Sequence, residues 1–152
     1  LNSEMASTIV AADSEMAHGY TYSGHPVACA VALANIEEME RLDLVGEEGR
    51  FRARYFQKAI QSLADHPLVG NARFLGALEL VQDKATSKPF ESGLDVGYIC
   101  REFSFENGLV MRGVGNTMVL SPPLIISESQ IDELVARARI ALDLTSAKIS
   151  KI

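Results

Sequence analysis

Hydrophobic positions along the chain switch between two periods, and the switches mark out its elements. An apolar patch, Met5 to Ala12, is followed by a polar run, His18-Gly19-Tyr20-Thr21-Tyr22-Ser23-Gly24-His25, whose glycines and hydroxyls suit a loop. Pro26 fits the first turn of a helix, where its missing N–H costs nothing, and Val27 to Leu42 continues with good helix formers. From Val27 to Ala34 this helix is apolar on every side and is expected to be buried; from Glu37 to Arg41 it turns charged and should emerge into water. A second amphipathic helix is expected from about Glu47 to Ala64. Phe51, Tyr55, Ala59 and Leu63 fall on one stripe, Phe56 and Ile60 widen it, and His66-Pro67 ends it.

After the proline the period shortens. Leu68-Val69-Gly70 and the apolar run Phe74 to Val81 read as extended, with a strand expected in the second, although Ala77-Leu78-Glu79-Leu80 has helical propensity as well. Val96, Ile99, Cys100 and Phe103 then restore helical spacing, and Asn107-Gly108 supplies a left-handed stop. Leu109 to Arg112 and Thr117 to Leu120 flank Gly113-Val114-Gly115-Asn116 as a β-hairpin, halted by Pro122-Pro123. Ser127-Glu128-Ser129-Gln130 has the capping-box pattern. It opens a last helix that runs to about Leu144 and buries Ile131, Leu134, Val135, Ala138 and Leu142. The sum is an α+β fold, a small antiparallel sheet covered by helices.

Composition narrows the function classes. A chain of 152 residues, 47% hydrophobic and 22% charged, is in the range of one globular domain with a real core. A net charge of -6 with dispersed basic residues argues against a nucleic-acid partner, since that affinity comes from Lys and Arg neutralising phosphates. Arg50, Arg52 and Arg54 are the one close trio, and on a helix they cannot all share a face. Cys29 and Cys100 lie far apart in apolar helical patterns without metal-ligand spacing, so both are expected to be reduced core residues and no metal is implied. No apolar run approaches the roughly 18 residues of a membrane span, and the opening residues have no basic and apolar leader pattern, so a cytoplasmic protein with no membrane partner is expected. The opening at Leu1 rather than Met points to a fragment.

The chemistry legible without further comparison is thin: there is no Walker loop, G-x-G-x-x-G, H-E-x-x-H or serine nucleophile elbow. Two places stand out. The hydroxyl-rich loop Tyr20 to His25 leads straight into a helix whose N-terminus favours an anion, and it reads either as a phosphate contact or as an N-capping loop with surface tyrosines. Arg112 closes an apolar stretch before a glycine-rich turn, and it reads either as a carboxylate grip or as a surface arginine at a strand end.

Together the two places carry a family resemblance. The run His18 to Ala28 resembles the His-Gly-aromatic-Thr-Tyr-Ser-Gly-His-Pro signature of class III pyridoxal-phosphate-dependent aminotransferases, the ω-transaminase group. Glu106 to Arg112 and Ser121 to Ile126 are similar to that family's C-terminal block, Ala77 to Val81 resembles the strand between, and the matches run in order from His18 to Leu144. The resemblance implies the C-terminal portion of a fold-type-I aminotransferase. Residues 1–25 would end the large cofactor-binding domain, and 26–152 would form the small α+β domain of an α/β parent. It implies that Thr21 hydrogen-bonds the phosphate of pyridoxal 5'-phosphate held by the partner subunit of a homodimer with a shared site. The Tyr20 backbone would lie beside it, and Arg112 would bind the substrate carboxylate. The activity implied is transfer of an amino group between an amine or ω-amino acid and a 2-oxo acid such as pyruvate.

Departures from the family pattern are equally specific. The Schiff-base lysine, the aspartate on the pyridine nitrogen and the glycine-serine phosphate loop have no counterpart, and Lys58, Lys84, Lys88, Lys148 and Lys151 match no family lysine motif. The chain alone is therefore expected to be inactive. Arg73-Phe74-Leu75-Gly76 is shorter than the glycine-rich segment common in the family. Two other readings remain open at this point: a different reaction on the same scaffold, such as a decarboxylating transaminase or an aminomutase, and a non-catalytic α+β domain that binds a ligand or partner.

Overall fold

The computed structural model describes residues 2–15, 19–73, 76–91 and 93–151. It divides into two compact units, Leu1–Met39 and Glu40–Ile152.

The first unit holds α1 (Ser3–Ala11) and most of α2 (Pro26–Arg41). The apolar patch at Met5 to Ala12 turns out to be helical, started by Asn2, whose side-chain oxygen accepts from the Met5 N–H at 2.8 Å. The α2 boundaries follow the expectation, but the expected burial does not hold: no described residue of either helix is buried. Val27, Val31, Leu33 and Ile36 are exposed, and so is Cys29, which was expected in a core. The reason is physical. A helix that is apolar all round needs covering surface on every side, and the one other described element of this unit, α1, leaves these side chains exposed.

The second unit is a two-layer sandwich. Its order is α3 (Glu47–Gln61), a short 3-10 turn (Ser62–Asp65), β1 (Val69–Arg73), β2 (Ala77–Leu80), α4 (Val96–Glu106), β3 (Arg112–Val114), β4 (Thr117–Val119) and α5 (Glu128–Ile149). The four strands form one antiparallel sheet in the order β1-β2-β4-β3. One row of paired residues, Ala72, Leu78, Met118 and Gly113, faces inward, and Leu78 and Met118 are fully buried with Val69, Leu80 and Leu120. Against them pack Ile60 and Leu63 from the α3 segment, Val96 and Cys100 from α4, and Ala138, Ala141 and Leu142 from α5. Each such large side chain contributes roughly 1.5–3 kcal/mol of burial free energy. The antiparallel sheet covered by helices is as expected, with the helices on one face only.

Several expectations are corrected in detail. The strand sought in Phe74 to Val81 is β2, which ends at Leu80, while Phe74 and Leu75 lie outside the described residues; β1 before it is an added partner. Leu109 to Met111 does not join the sheet, because only from Arg112 onward is β4 there to pair with, so Arg112 opens a strand rather than closing one. Phe51 is exposed although it lies on the stripe of α3; the buried edge is Ile60 and Leu63, with Phe56 packed beside it. The last helix runs on to Ile149 and buries Ala141 and Thr145 as well.

Polar contacts tie the layers. Ser127 accepts from the Gln130 N–H, and the Gln130 side chain accepts from the Ser127 N–H at 2.9 Å, completing the expected capping box. Buried His66 accepts the Leu68 N–H at Nδ1, which leaves its proton on Nε2 to donate to Asp143 of α5 at 3.2 Å. Arg139 donates to Asp65 at 2.7 Å and holds that carboxyl below its usual range, against the opposing pull of partial desolvation. Arg137 donates to the carbonyls of Asn107 and Gly108, closing the C-terminus of α4 where Gly108 takes φ +72.

The first turn of α4 rests on the β3–β4 hairpin through glycines. A methyl group on Gly97 would run into the carbonyl oxygen of Gly115, and one on Gly113 would sit 3.1 Å from the carbonyl oxygen of Gly97. Gly97→Ala is expected to destabilise the fold by about 1–3 kcal/mol, the usual cost of overpacking, read as a lowered midpoint in urea with an unchanged slope. The two thiols should also part company. Burial pushes Cys100 up to about 11 despite a hydrogen bond from Thr145, whereas Cys29 is exposed. At pH 8 only about one Cys100 in a thousand is thiolate, so a disulfide reagent should titrate one thiol quickly and the second only on unfolding. Two fast thiols would contradict the packing of α4 against α5.

Candidate functional site

Residues 19–25 form a tight turn that closes on itself. The Tyr20 N–H donates to Ser23 Oγ at 2.8 Å, the Ser23 N–H returns to the Tyr20 carbonyl at 2.9 Å, and the His25 N–H reaches the Tyr22 carbonyl at 3.1 Å. Gly24 takes φ +71, a left-handed conformation that a side chain would strain. His25 Nδ1 accepts from the Ala28 N–H at 3.4 Å, so the imidazole caps α2 just ahead of Pro26, and the Tyr22 ring lies 5.8 Å from it. The hydroxyl run thus sorts itself into roles. Ser23 is used to close the turn, while the Thr21 side chain is exposed and takes part in no hydrogen bond among the described residues. His18, which the signature also includes, lies outside them.

A phosphate group needs donors and a positive field. Thr21 offers a free hydroxyl, and α2 follows immediately with the positive end of its dipole. These residues fit the phosphate of pyridoxal phosphate. The five lysines are all exposed, and Lys84 is taken up by the carbonyls of Ala64 and His66.

The second candidate, Arg112, lies in the other unit, on the sheet face that the helices leave open. Arg112 pairs with Val119, Val119 with Ala77, and Ala77 with Arg73, so these four side chains form one outward row, and Val114, Thr117, Glu79 and Asn71 form the next. Arg73 is paired to Glu79 at 3.2 Å, whereas Arg112 is exposed and has no ion-pair partner among the described residues. A guanidinium held at its base by a sheet and free at its tip can take a carboxylate through two parallel N–H···O bonds. The shortened segment at Arg73 to Gly76 has its described ends joined by the Arg73–Ala77 pair, and Gly76 there takes φ +71.

Sequence reasoning missed a third feature. A cavity of about 600 Å³ opens between α3 and the segment 119–126, with walls that include Leu44, Phe56, Leu120, Pro122 and Leu124. Arg50, Arg52 and Arg54 all line it, Arg50 and Arg54 from one side of the helix and Arg52 from another. The signal available was Pro122-Pro123 beside the aromatic stripe of α3, but nothing local joins the two. Among the described residues no group of three metal-ligating side chains occurs, and no helix is long and apolar enough to cross a membrane.

Comparison with known proteins places these features in a family. The model of the class-III aminotransferases matches residues 2–142. The putrescine–pyruvate aminotransferase of Pseudomonas aeruginosa is 53% identical over 138 residues, 89% of this chain and 30% of that protein. A probable mitochondrial γ-aminobutyrate transaminase of Oryza sativa subsp. indica is 32% identical over 139 residues, 90% of this chain and 27% of that protein. Among solved structures, the PMP-bound form of an aminotransferase from Vibrio fluvialis superposes with a TM-score of 0.77 at 36% identity, covering 94% of this chain and 32% of that one. The chain therefore spans less than a third of the length of the curated relatives it matches. On the family-model match over residues 2–142, together with 53% identity to the Pseudomonas enzyme and the superposition on a solved aminotransferase, the chain belongs to the class-III aminotransferases, a family of pyridoxal-phosphate-dependent enzymes.

Proposed function

We propose that this chain works as the C-terminal part of a complete class-III enzyme that transfers an amino group between an amine or ω-amino acid and a 2-oxo acid such as pyruvate. The observation that carries the reading is the unpaired Arg112 on an otherwise uncovered sheet face, a carboxylate receptor with nothing in its own unit to bind. Within that enzyme residues 1–25 close the large domain and 26–152 form the small one. The site is shared in a homodimer, and the enzyme is cytoplasmic.

The bound cofactor supplies the electron sink on which both half-reactions run. The residues of this chain bind and orient. The Thr21 hydroxyl donates to a phosphate oxygen of the cofactor held by the partner subunit, with the Tyr20 backbone alongside. Arg112 grips the carboxylate of the 2-oxo acid and moves aside for an amine that has none, so one pocket serves two substrates in alternation. With its lysines all exposed, the chain by itself neither anchors the cofactor nor moves the substrate proton. A putrescine-like diamine is the donor favoured by the 53% identity to the Pseudomonas aeruginosa enzyme.

The test is a chimera in which residues of this chain replace the matching segment of that Pseudomonas enzyme. It should bind pyridoxal phosphate and transaminate, whereas the isolated chain should lose the cofactor on dialysis; a chimera that folds but is inert would sink the reading. In the chimera, Arg112→Ala should slow the oxo-acid half-reaction roughly 10- to 100-fold, the equivalent of the about 1.5–3 kcal/mol of a hydrogen bond to a charged group. The amine half-reaction should hardly change, and equal loss in both would remove Arg112 from this role. Thr21→Val should weaken cofactor binding roughly 10- to 100-fold, measured by equilibrium dialysis, as loss of one hydrogen bond to a charged phosphate requires.

A further inference from the structure

The end of α4 carries reactive chemistry that the transamination reading leaves unused. Asn107-Gly108 is the one Asn-Gly pair in the sequence. In such a pair the glycine backbone nitrogen can attack the asparagine Cγ, because glycine turns freely and has no side chain to shield its nitrogen. The new N–Cγ bond closes an imide ring as the Cγ–Nδ2 bond breaks and ammonia leaves. Water then opens the ring. Breaking the N–Cγ bond leaves aspartate, and breaking the bond from that nitrogen to the main-chain carbonyl carbon of residue 107 leaves isoaspartate.

The fold holds both reacting groups off this path. Asn107 sits at φ -99 and ψ 17, and the Gly108 N–H is directed at the Phe105 carbonyl, 3.0 Å away. The Asn107 side chain is tied back into the helix, its Nδ2 donating to the Phe103 carbonyl at 2.8 Å. One side chain of α5 fastens this cap. Arg137 Nη1 donates to the Asn107 carbonyl at 2.9 Å and to the Gly108 carbonyl at 3.1 Å. Glu133 Oε1 accepts from its Nε and Nη2 at 3.0 and 2.6 Å, which orients the guanidinium. Turning ψ of Asn107 swings its carbonyl off Arg137, so the bond that fastens the cap and the rotation that begins ring closure exclude each other. A cavity of about 240 Å³ alongside, lined in part by Gly108, Gln130, Glu133 and Arg137, leaves room for the water that opens the ring.

We propose that Asn107 is a site of spontaneous deamidation, and that Arg137 gates it by holding the Asn107 carbonyl in a conformation that cannot close the ring. Either product adds a carboxylate at the negative end of α4, and isoaspartate also adds a methylene to the main chain. Both changes fall just ahead of buried Leu109 and Met111 and of Arg112.

The test is peptide mass spectrometry of the chain aged in mildly alkaline buffer, following amide-to-acid exchange at Asn107, with isoaspartate read by an isoaspartate-specific methyltransferase. Wild type unfolded in urea should deamidate at 107 roughly 100-fold or more faster than folded wild type, as reaction through a locally opened state requires. Folded Arg137→Ala should age about 10-fold faster than folded wild type, through loss of hydrogen bonds from a charged, partly exposed donor. Glu133→Gln, which leaves Arg137 present but less firmly held, should lie between. Asn71 in β1, followed by alanine, is the internal control and should not change among the folded proteins. Equal rates in folded and unfolded wild type overturn the proposal, and so does a folded Arg137→Ala chain that ages at the wild-type rate. Gly97→Ala, which weakens the fold at the other end of α4, should hardly change the rate; acceleration as large as that of Arg137→Ala would make general destabilisation the cause and overturn the gate. If Arg137→Ala fails to fold, Glu133→Gln decides, and a wild-type rate there overturns the proposal.

Discussion

The contact between Gly97 and the turn of the β3–β4 hairpin governs much of the second unit. Backbone meets backbone there with no side chain between, so the contact cannot be relieved by a rotamer change. It presses the first turn of α4 onto the small end of the inward row, where Gly113 stands beside Met118 and Leu78. With Gly113 held inward, alternation along the strand leaves Arg112 on the open face. The residue read as the carboxylate grip is thus set in place by a close approach that involves no chemistry at all.

Elements whose signals are local were legible in the sequence. The capping box at Ser127 and the left-handed stop at Gly108 each depend on a few neighbouring residues and stand where the pattern put them, whereas the turn expected over Gly113 to Asn116 narrows to Gly115-Asn116, with Gly113 and Val114 in β3. Pairing between distant segments was less legible. Leu109 to Met111 looks like a strand because Leu109 and Met111 are buried with exposed Val110 between them, yet a strand requires a partner, and β4 offers one only from Arg112 onward. The sheet order β1-β2-β4-β3 arises from contacts across α4 that no local pattern encodes. The groove beside α3 escaped for the same reason, since its two walls are far apart in the sequence.

Misreadings at α2 have a different origin. Periodicity reports what a surface would prefer as its surroundings, and the Val27 to Ala34 run prefers an apolar environment on every side. It does not say which chain provides that environment, and within its own unit none does. The exposed Cys29 follows from this, while Cys100, with the same local pattern, is covered by α5 and the sheet. In the loop before α2 the sequence located the hydroxyls but could not rank them. Only the reciprocal bonds between Tyr20 and Ser23 show that the serine is committed to the turn and the threonine is not.

The two-residue turn at Gly115-Asn116 imposes a parity rule on the hairpin. Adding or removing one residue between Arg112 and Met118 would turn one of the two to the opposite face, so that the guanidinium and the methionine would share one side of the sheet. Changes in steps of two preserve the facing of both. Outward residues around Arg112 can therefore be exchanged without disturbing the core, whereas insertions and deletions between Arg112 and Met118 keep both facings only in even numbers.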